Sequence, residues 1–535
     1  MLNFSINLKN FNKKKSQKKI KKNLKNNYFK EQIIQNAFKF HTEGNISEAI
    51  KYYKSFINKG FEDKRVFSNY GLLLIRLGKL KEAEFFTRKA LQLNPNYAIA
   101  HSNLGGILKE LGKLKEAELS TRKALQLDPN IANANMNLGG ILIDFGKLKE
   151  AEFFTRKALE LNPKLADAYS NLGLILRDLG KLKEAELSIL KAIELNPNLA
   201  LAYFNISTLK YSNKNKKWQE TLFSENFLDN KSKKDQVNIY FARANILHNE
   251  KKYQESSRYL KLANEFKLDI KKSDSDYLIN KSKSLLIETD KKSINQKKIK
   301  QYPQSIFIVG MPRSGSTLVE SILSMNSEVF DLGEINILEE SFLQQKNIDQ
   351  EFTLTDIYWN KISKYTENFN ITTNKWLYNY QYAGIISREI KNAKIIHCFR
   401  NPLDNILSIY RANFTKHYAF CSSLRDCTKI YLDQEQIMSN YKDRFRSKIY
   451  DLNYDSLVSN PNKEIKSLIS WLDWQWEDSY LSPHLNKRSV LTASSVEVRS
   501  PINVKSIGGW KNYKDMLQPS IEILNQTERY RNLLL

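Results

Sequence analysis

The chain has 535 residues, which is too long for one hydrophobic core and indicates two or three domains. Hydrophobic residues make up 41% of the chain, and no apolar run approaches the length of a membrane span, so neither a disordered chain nor an integral membrane protein is expected. With three cysteines, no metal-ligand spacing and no secretory pattern, a disulfide scaffold is excluded and a cytoplasmic location is expected.

The net charge of +26 lies outside the last third of the chain. Residues 1–30 carry ten lysines and no acidic residue, whereas residues 301–535 sum to +1. A basic tail can attract nucleic acid or anionic lipid. Because Lys, Asn and Ile are abundant throughout, we interpret residues 1–28 as a disordered basic leader and expect no specific nucleic-acid partner. Contact of this leader with a membrane stays open.

A 34-residue period runs through residues 30–268. Small residues or proline recur at equivalent positions: Pro95, Pro129, Pro163 and Pro197; Gly44, Gly78, Gly112, Gly146 and Gly180; Gly71, Gly105, Gly139 and Gly173; Ala83, Ala117, Ala151 and Ala185. Each unit predicts two closely packed helices, a glycine turn between them and a stop at proline. The first unit, 30–63, lacks its proline. The unit at 200–230 is degenerate, and another helical pair is predicted at 237–268.

This period and pattern resemble the tetratricopeptide repeat. The resemblance implies an all-α solenoid whose concave surface binds a polypeptide acceptor or a protein partner. Residues 269–303, rich in Lys, Ser and Asp, predict a linker. From 304 to 535 strand-like apolar runs alternate with helical stretches, which predicts an α/β domain with a central parallel sheet.

The first strand-like run of this domain leads into a loop, Met311–Thr317, and then into a helix. A strand, a loop of small residues and a helix N-terminus form an anion site, because unpaired N–H groups and the helix dipole face the ligand. Arg313 adds a fixed charge, and hydroxyl donors come from Ser314, Ser316 and Thr317. The Gly-Lys-Ser/Thr ending of a Walker A loop is missing, which disfavours a nucleotide kinase.

A second strand-like run, 394–399, ends at Arg400, where α/β sheets bind ligands. Ser408 follows eight residues later on a predicted helix, so this pair is expected to hold a second phosphate. His397 lies in the middle of the strand, and we interpret it as a buried, hydrogen-bonded residue rather than a base.

The two segments resemble the 5′-phosphosulfate loop and the 3′-phosphate motif of sulfotransferases that use 3′-phosphoadenosine 5′-phosphosulfate (PAPS). The domain is similar to the tyrosylprotein sulfotransferase-like group. This resemblance implies PAPS as co-substrate, adenosine 3′,5′-bisphosphate as product and no metal. It also implies transfer to a hydroxyl group, with a protein tyrosine as the favoured acceptor.

The resemblance also implies residue roles. Arg313 would contact the sulfuryl group, Glu334 would be the general base, and Lys375 would stabilise the leaving side. Cofactor binding would fall to Pro312, Arg313, Ser314, Gly315, Ser316, Thr317, Arg400, Ser408, Tyr454, Ser494, Ser495 and Arg499.

Two positions depart from the family pattern. The proline that usually follows the catalytic lysine segment is missing after Lys375, and Gly509 stands where a basic residue is common. Lys505 or Lys511 is a candidate replacement for that missing charge.

Two alternative functions stay open: a tetratricopeptide scaffold with a decayed catalytic domain, and a sulfotransferase acting on a glycan or small molecule. The sequence gives no indication of the oligomeric state.

Overall fold

The computed structural model describes residues 26–209, 217–290, 302–347, 352–365, 369–414 and 418–531, apart from 487, 489, 491 and 493. Most of the predicted leader, 1–28, lies outside the described residues. The chain divides into two compact units, Met1–Ile175 and Leu176–Leu535. In the described part of the chain, no helix is both long enough and apolar enough for a bilayer span.

The described chain is helical up to residue 290. Its helices are α1 26–42, α2 Ile46–Asn58, α3 Lys64–Arg76, α4 Leu80–Leu93, α5 Ala98–Glu110, α6 Leu114–Leu127, α7 Ala132–Asp144, α8 Leu148–Leu161, α9 Ala166–Asp178, α10 Leu182–Leu195, α11 Ala200–Ser207, α12 Lys217–Phe223, α13 Lys233–Asn249, α14 Tyr253–Ile270 and α15 Ser275–Thr289. In the first unit they pack as consecutive pairs, α3 with α4, α5 with α6 and α7 with α8.

The small residues of the repeat act as the sequence predicts. Gly112, in the turn between α5 and α6, has a φ of 76°, a backbone conformation that favours glycine. Asp128 caps the end of α6, and its side chain accepts a hydrogen bond of 2.9 Å from the N–H of Asn130 across Pro129. A Cβ atom at Gly105 would lie 2.0 Å from Thr121 Oγ1 on the paired helix, so only glycine permits this helix spacing.

We predict that Gly105→Ala destabilises the solenoid by about 1–3 kcal/mol, because the added methyl group overpacks the contact with Thr121. Gly106→Ala is the matched control, since a Cβ there meets no atom closer than 3.4 Å. The control is expected to be neutral or to gain up to about 1 kcal/mol of helix propensity. Urea unfolding of the full chain, followed by circular dichroism, compares the two variants; equal stabilities would contradict the prediction.

The predicted linker contains a packed helix. Helix α15 packs with α21, defined below, and buries Leu278 and Leu285 in the hydrophobic core of the C-terminal domain. Helices α13 and α14 contribute to the same core through Phe241 and Leu260. Lysine, serine and aspartate dominate the composition of 269–303 and obscure this short apolar face. The boundaries of the solenoid and the catalytic domain stay predictions.

The C-terminal domain is built on a five-stranded, wholly parallel sheet with strand order β2-β3-β1-β4-β5. The strands are β1 Gln304–Gly310, β2 Val329–Asp331, β3 Ile371–Asn374, β4 Ala393–Phe399 and β5 Ile449–Asn453. The helices are α16 Ser316–Leu323, α17 Ile337–Asn347, α18 Leu354–Ile362, α19 Ala383–Glu389, α20 Pro402–Tyr410, α21 Leu424–Phe445, α22 Tyr454–Ser459, α23 Pro461–Trp471 and α24 Gln518–Asn525. The predicted fold class is therefore confirmed.

Hydrophobic side chains cover both faces of this sheet, as a parallel sheet requires. Along β1, Ile306 and Ile308 belong to one hydrophobic cluster, whereas Phe307 and Val309 belong to another. Because all five strands run in the same direction, their carboxyl ends meet at one edge of the sheet.

Candidate active site

Each of the five strands delivers a predicted site residue just beyond its carboxyl end. The loop after β1 carries Arg313, and the loop after β2 carries Glu334. Lys375 directly follows β3, Arg400 directly follows β4, and Tyr454 directly follows β5. The structure therefore places these residues at one edge of the sheet.

The loop after β1 has a constrained backbone. Arg313 has a φ of 66°, which is uncommon for a residue other than glycine, and Gly315 caps α16 with a φ of 94°. A Cβ atom at Gly315 would lie 2.3 Å from the ring of Tyr454, so this position requires glycine for space as well as for conformation. The buried hydroxyl of Ser314 has no hydrogen-bond partner among the described residues.

The Arg313 guanidinium is held by three side chains. Its Nε donates to Ser408 Oγ at 3.0 Å, and its Nη1 donates to Ser494 Oγ at 2.5 Å. Its Nη2 forms an ion pair of 2.5 Å with Glu497 Oε1. The C-terminal segment that contains Ser494 and Glu497 is thereby attached to the predicted sulfuryl-binding arginine.

Arg400 lies beside the same loop. Its side chain is buried, and its Nη1 reaches the carbonyl of Arg313 at 3.5 Å while Nη2 donates to the carbonyl of Ser506 at 2.8 Å. The guanidinium lies 4.7 Å from the ring centroid of Tyr454, which is a cation–π contact, and Nε lies 3.9 Å from Asp455 Oδ1. Arg313 and Arg400 therefore share one site.

A chain of alternating charges surrounds Lys375, whose side chain is 1% exposed. Its Nζ donates to Glu334 Oε1 at 2.6 Å and lies 3.8 Å from Glu320 Oε2 on α16. Arg488 Nη2 donates to the same Glu320 oxygen at 3.0 Å, and Arg488 Nη1 donates to Asp331 Oδ2 at 2.5 Å. Burial raises the pKa of Asp331, although the positive charge of Arg488 opposes this shift.

Several predicted residues lie elsewhere or contact other groups. Arg499 donates to the carbonyls of Asn486, Arg488 and Asp178, and the Ser495 hydroxyl hydrogen-bonds the Asp178 carboxylate. None of these partners belongs to the loop after β1. Their role in cofactor binding, like that of the other site residues, stays a prediction.

The remaining predicted residues line the loop. Ser316 and Thr317 are buried at the start of α16, and the Pro312 carbonyl accepts a hydrogen bond of 2.9 Å from the Asn405 side chain.

His397 is buried between Asp451 and Gln434, and this burial lowers its pKa, in line with a structural role. Among the described residues, no group of three or more His, Cys, Asp and Glu side chains is arranged to hold a metal ion.

Sequence reasoning missed three residues that shape the site. Glu320 and Arg488 form the buried charge chain, and Asp404 accepts hydrogen bonds from the N–H groups of Gly508 (2.7 Å) and Trp510 (2.9 Å). Glu320 follows Val319 on an apolar helix, and this acid on an otherwise buried face was the available signal. Nothing in the sequence connects Arg488 with Glu320, 168 residues away.

We predict that Lys375→Met lowers the free energy of unfolding by about 1–3 kcal/mol, because Glu320 then keeps a single cationic partner in a buried position. Lys191→Met is the control, since the Lys191–Glu194 ion pair is exposed and is expected to contribute about 0.5 kcal/mol or less. Chemical unfolding of both variants is the measurement, and an equal effect of the two substitutions would show that the charge chain does not stabilise the domain.

Comparisons with known proteins match both parts of the chain. Family models described as tetratricopeptide repeat match residues 65–97, 98–131, 132–165 and 166–199, and a model described as sulfotransferase family matches residues 303–478. The sulfotransferase match includes Arg313, Glu334, Lys375, Arg400 and Tyr454 but ends before Ser494.

Among similar proteins, an uncharacterized protein of Aquifex aeolicus (strain VF5) is 32% identical over 244 residues, which are 41% of this chain and 32% of that protein. Protein-tyrosine sulfotransferase 2 of Gallus gallus is 23% identical over 44% of this chain and 71% of its own length. Protein-tyrosine sulfotransferase of Drosophila melanogaster is 23% identical over 38% of this chain and 46% of its own length. The chain thus spans between 32% and 71% of the length of these relatives.

A solved sulfotransferase domain from the curacin biosynthetic pathway is 18% identical, with a TM-score of 0.32 over 42% of this chain and 99% of that one. YrrB is 24% identical, with a TM-score of 0.26 over 37% of this chain and 97% of its own. It is a tetratricopeptide-repeat protein whose structure is described as having an unusual peptide-binding site. From the family matches and the fold together, the chain combines tetratricopeptide repeats with a C-terminal domain of the sulfotransferase family.

Proposed function

We propose that this protein transfers the sulfuryl group of PAPS to an acceptor hydroxyl, with a protein tyrosine as the preferred acceptor. The observation that carries the proposal is the shared site of Arg313 and Arg400. Their strands end side by side, and Arg400 Nη1 lies 3.5 Å from the backbone carbonyl of Arg313. The boundaries that we propose are 30–268 for the solenoid and 304–535 for the catalytic domain.

The residues of the site fit a nucleotide with anionic groups at both ends. Ser314 Oγ and Arg400 Nε are buried and have no hydrogen-bond partner among the described residues, so both have donor capacity left for a ligand. Gly315 lets the ring of Tyr454 pack against the loop at the start of α16, where the N-terminal N–H groups of a helix favour an anion. Arg400 and Ser408 would hold the 3′-phosphate, and the loop 312–317 would hold the 5′-phosphosulfate.

When bound, PAPS supplies an activated sulfuryl group on a phosphate leaving group. The chain supplies position and charge, which dominate catalysis of such transfers. Arg313 binds the oxygens of the sulfuryl group, and Lys375 stabilises negative charge that develops on the leaving side. Glu334 accepts the proton of the acceptor hydroxyl; its side chain is 32% exposed, so an acceptor can reach it.

Two observations support an aromatic acceptor. Two of the relatives reported above, those of Gallus gallus and Drosophila melanogaster, carry the name protein-tyrosine sulfotransferase. Tyr418 lies near enough to Glu334 for that charge to add to burial in raising its pKa, and its ring stacks on Tyr378 with 5.4 Å between the ring centroids. An aromatic surface next to the base suits a phenol ring. The repeats would then bind the polypeptide that carries the tyrosine.

We predict that Arg313→Ala lowers kcat/KM by at least about 10²-fold with labelled PAPS and a tyrosine peptide, because it removes a charge aimed at the transferring group.

Glu334→Gln is expected to lower kcat by about 10²–10⁴-fold while the affinity for adenosine 3′,5′-bisphosphate changes little, since the base contacts the acceptor rather than the nucleotide. Radiolabel transfer and calorimetric titration measure the two quantities.

Two exposed residues provide controls for these variants. Glu328→Gln and Arg425→Ala lie outside the site and are expected to retain the activity of the original chain. Full activity of Arg313→Ala would refute the proposed site. Labelling of glycans or small molecules from a cell lysate, with no labelled tyrosine, would keep the sulfotransferase assignment and overturn the proposed acceptor. A chain that binds no nucleotide would be a scaffold with a decayed domain.

A further inference from the structure

One face of α20 lines the site. Asp404, Ser408 and Arg411 are spaced i, i+4 and i+7, so they lie along a single stripe of the helix. Asp404 anchors the backbone of Gly508 and Trp510, and Ser408 accepts a hydrogen bond from Arg313. Arg411 caps the helix with helical backbone angles and therefore continues the same stripe.

Arg411 is a cation that the sequence motifs did not assign. Its guanidinium carbon lies 5.9 Å from the ring centroid of Tyr513, at the end of the short helical turn Gly509–Tyr513. Ser408, one turn earlier on the same helix face, accepts a hydrogen bond from Arg313 at 3.0 Å, so Arg411 lies on the sulfuryl-binding side of the site. Burial, and then the like charge of Arg313, lower the pKa of the Arg411 guanidinium.

The charge of Arg411 is unmatched in the described part of the chain. The other cations of the site have acidic neighbours: Arg313 pairs with Glu497, Arg400 lies near Asp455, and Lys375 pairs with Glu334. The Arg411 side chain forms no hydrogen bond and no ion pair with any described residue, although its backbone N–H donates to the Leu407 carbonyl at 3.0 Å. A partly buried guanidinium without a counter-charge is unfavourable unless an anion joins it.

Glu497 shows where such an anion would sit. Its carboxylate is paired with Arg313 at 2.5 Å and is close enough to Arg411 to act on its charge, yet its side chain is 58% exposed. A carboxylate and a phosphate or sulfonate group bind guanidinium through the same paired oxygen geometry. An incoming oxyanion can therefore replace this exposed acid without opening the core.

We propose that Arg411 binds an oxyanion of the nucleotide together with Arg313, in the place that the Glu497 carboxylate holds otherwise. In this way α20 supplies the positive charge that the turn lacks at Gly509. The exposed Lys505 and Lys511 are then not needed for this contact. The inference rests on the proposed function, because it specifies how the same site binds its nucleotide.

Calorimetric titration of the full chain with adenosine 3′,5′-bisphosphate tests the proposal. Arg411→Gln is expected to weaken binding about tenfold or more, the usual effect of losing a hydrogen bond between charged groups. Arg411→Lys keeps the charge but not the paired geometry, so its affinity is expected to lie between that of the original chain and that of Arg411→Gln. Lys505→Gln and Lys511→Gln are the matched controls, with changes below about twofold, and Glu497→Gln is expected to tighten binding.

Two further nucleotides identify the oxyanion. If Arg411→Gln weakens only adenosine 3′-phosphate, the partner is the 3′-phosphate; if it weakens only adenosine 5′-phosphosulfate, the partner is the phosphosulfate. Unchanged affinity of a folded Arg411→Gln variant for all three nucleotides, or an effect on the KM of the acceptor alone, overturns the inference. If Arg411→Gln does not fold, Arg411→Lys decides, and unaltered affinity in that variant also overturns it. Failure of the original chain to bind any of the nucleotides would refute the proposed function itself.

Discussion

The parallel arrangement of five strands is the constraint on which the site depends. Parallel strands end at one edge, so residues that are far apart in the chain become neighbours without any contact between the segments that separate them. Arg313 and Arg400 meet because β1 and β4 are paired up to Gly310 and Cys398. Lys375 and Glu334 meet because the backbone continues beyond β2 and β3, with the Lys375 N–H donating to the Gly333 carbonyl at 2.9 Å.

Charge compensation is the second organising feature. Lys375 is almost completely buried, and the acids around it keep its charge favourable: Glu334 on the open side and Glu320 on the closed side. Arg488 then balances Glu320 and brings the C-terminal segment to α16. The same segment supplies Glu497 to Arg313. The tail of the domain is therefore part of the electrostatic structure of the site, although it lies beyond the sulfotransferase family match.

Local sequence patterns predicted the fold and the positions of Arg313 and Arg400 at strand ends, because the information is local there. A strand, a loop and a helix are consecutive around Arg313, and Arg400 directly follows an apolar run, so each could be placed at a strand end. The repeat was equally accessible, because glycine and proline act on their own backbone. These features needed no knowledge of distant contacts.

The other features depend on distant contacts. Arg499 was predicted to bind the nucleotide, and in the structure its guanidinium donates to three backbone carbonyls on two distant segments. Arg411 carries no motif, and only the helix face and the lack of a direct ion pair with any described residue single it out. The helix α15 was missed because its buried leucines, Leu278 and Leu285, are separated by polar residues. Composition records average polarity and not which side of a helix is covered.

The brevity of β3 makes the chemistry sensitive to strand alignment. Ile371–Asn374 is four residues long, and it is held by β1 on one side and by β2 on the other. A slip of one residue would turn every side chain of the strand to the opposite face and move Lys375 out of its position. Substitutions within β3 that shift its register can therefore abolish activity while every residue of the proposed site is intact. A mutational screen would then find inactive variants at positions that touch neither the proposed nucleotide nor the acceptor.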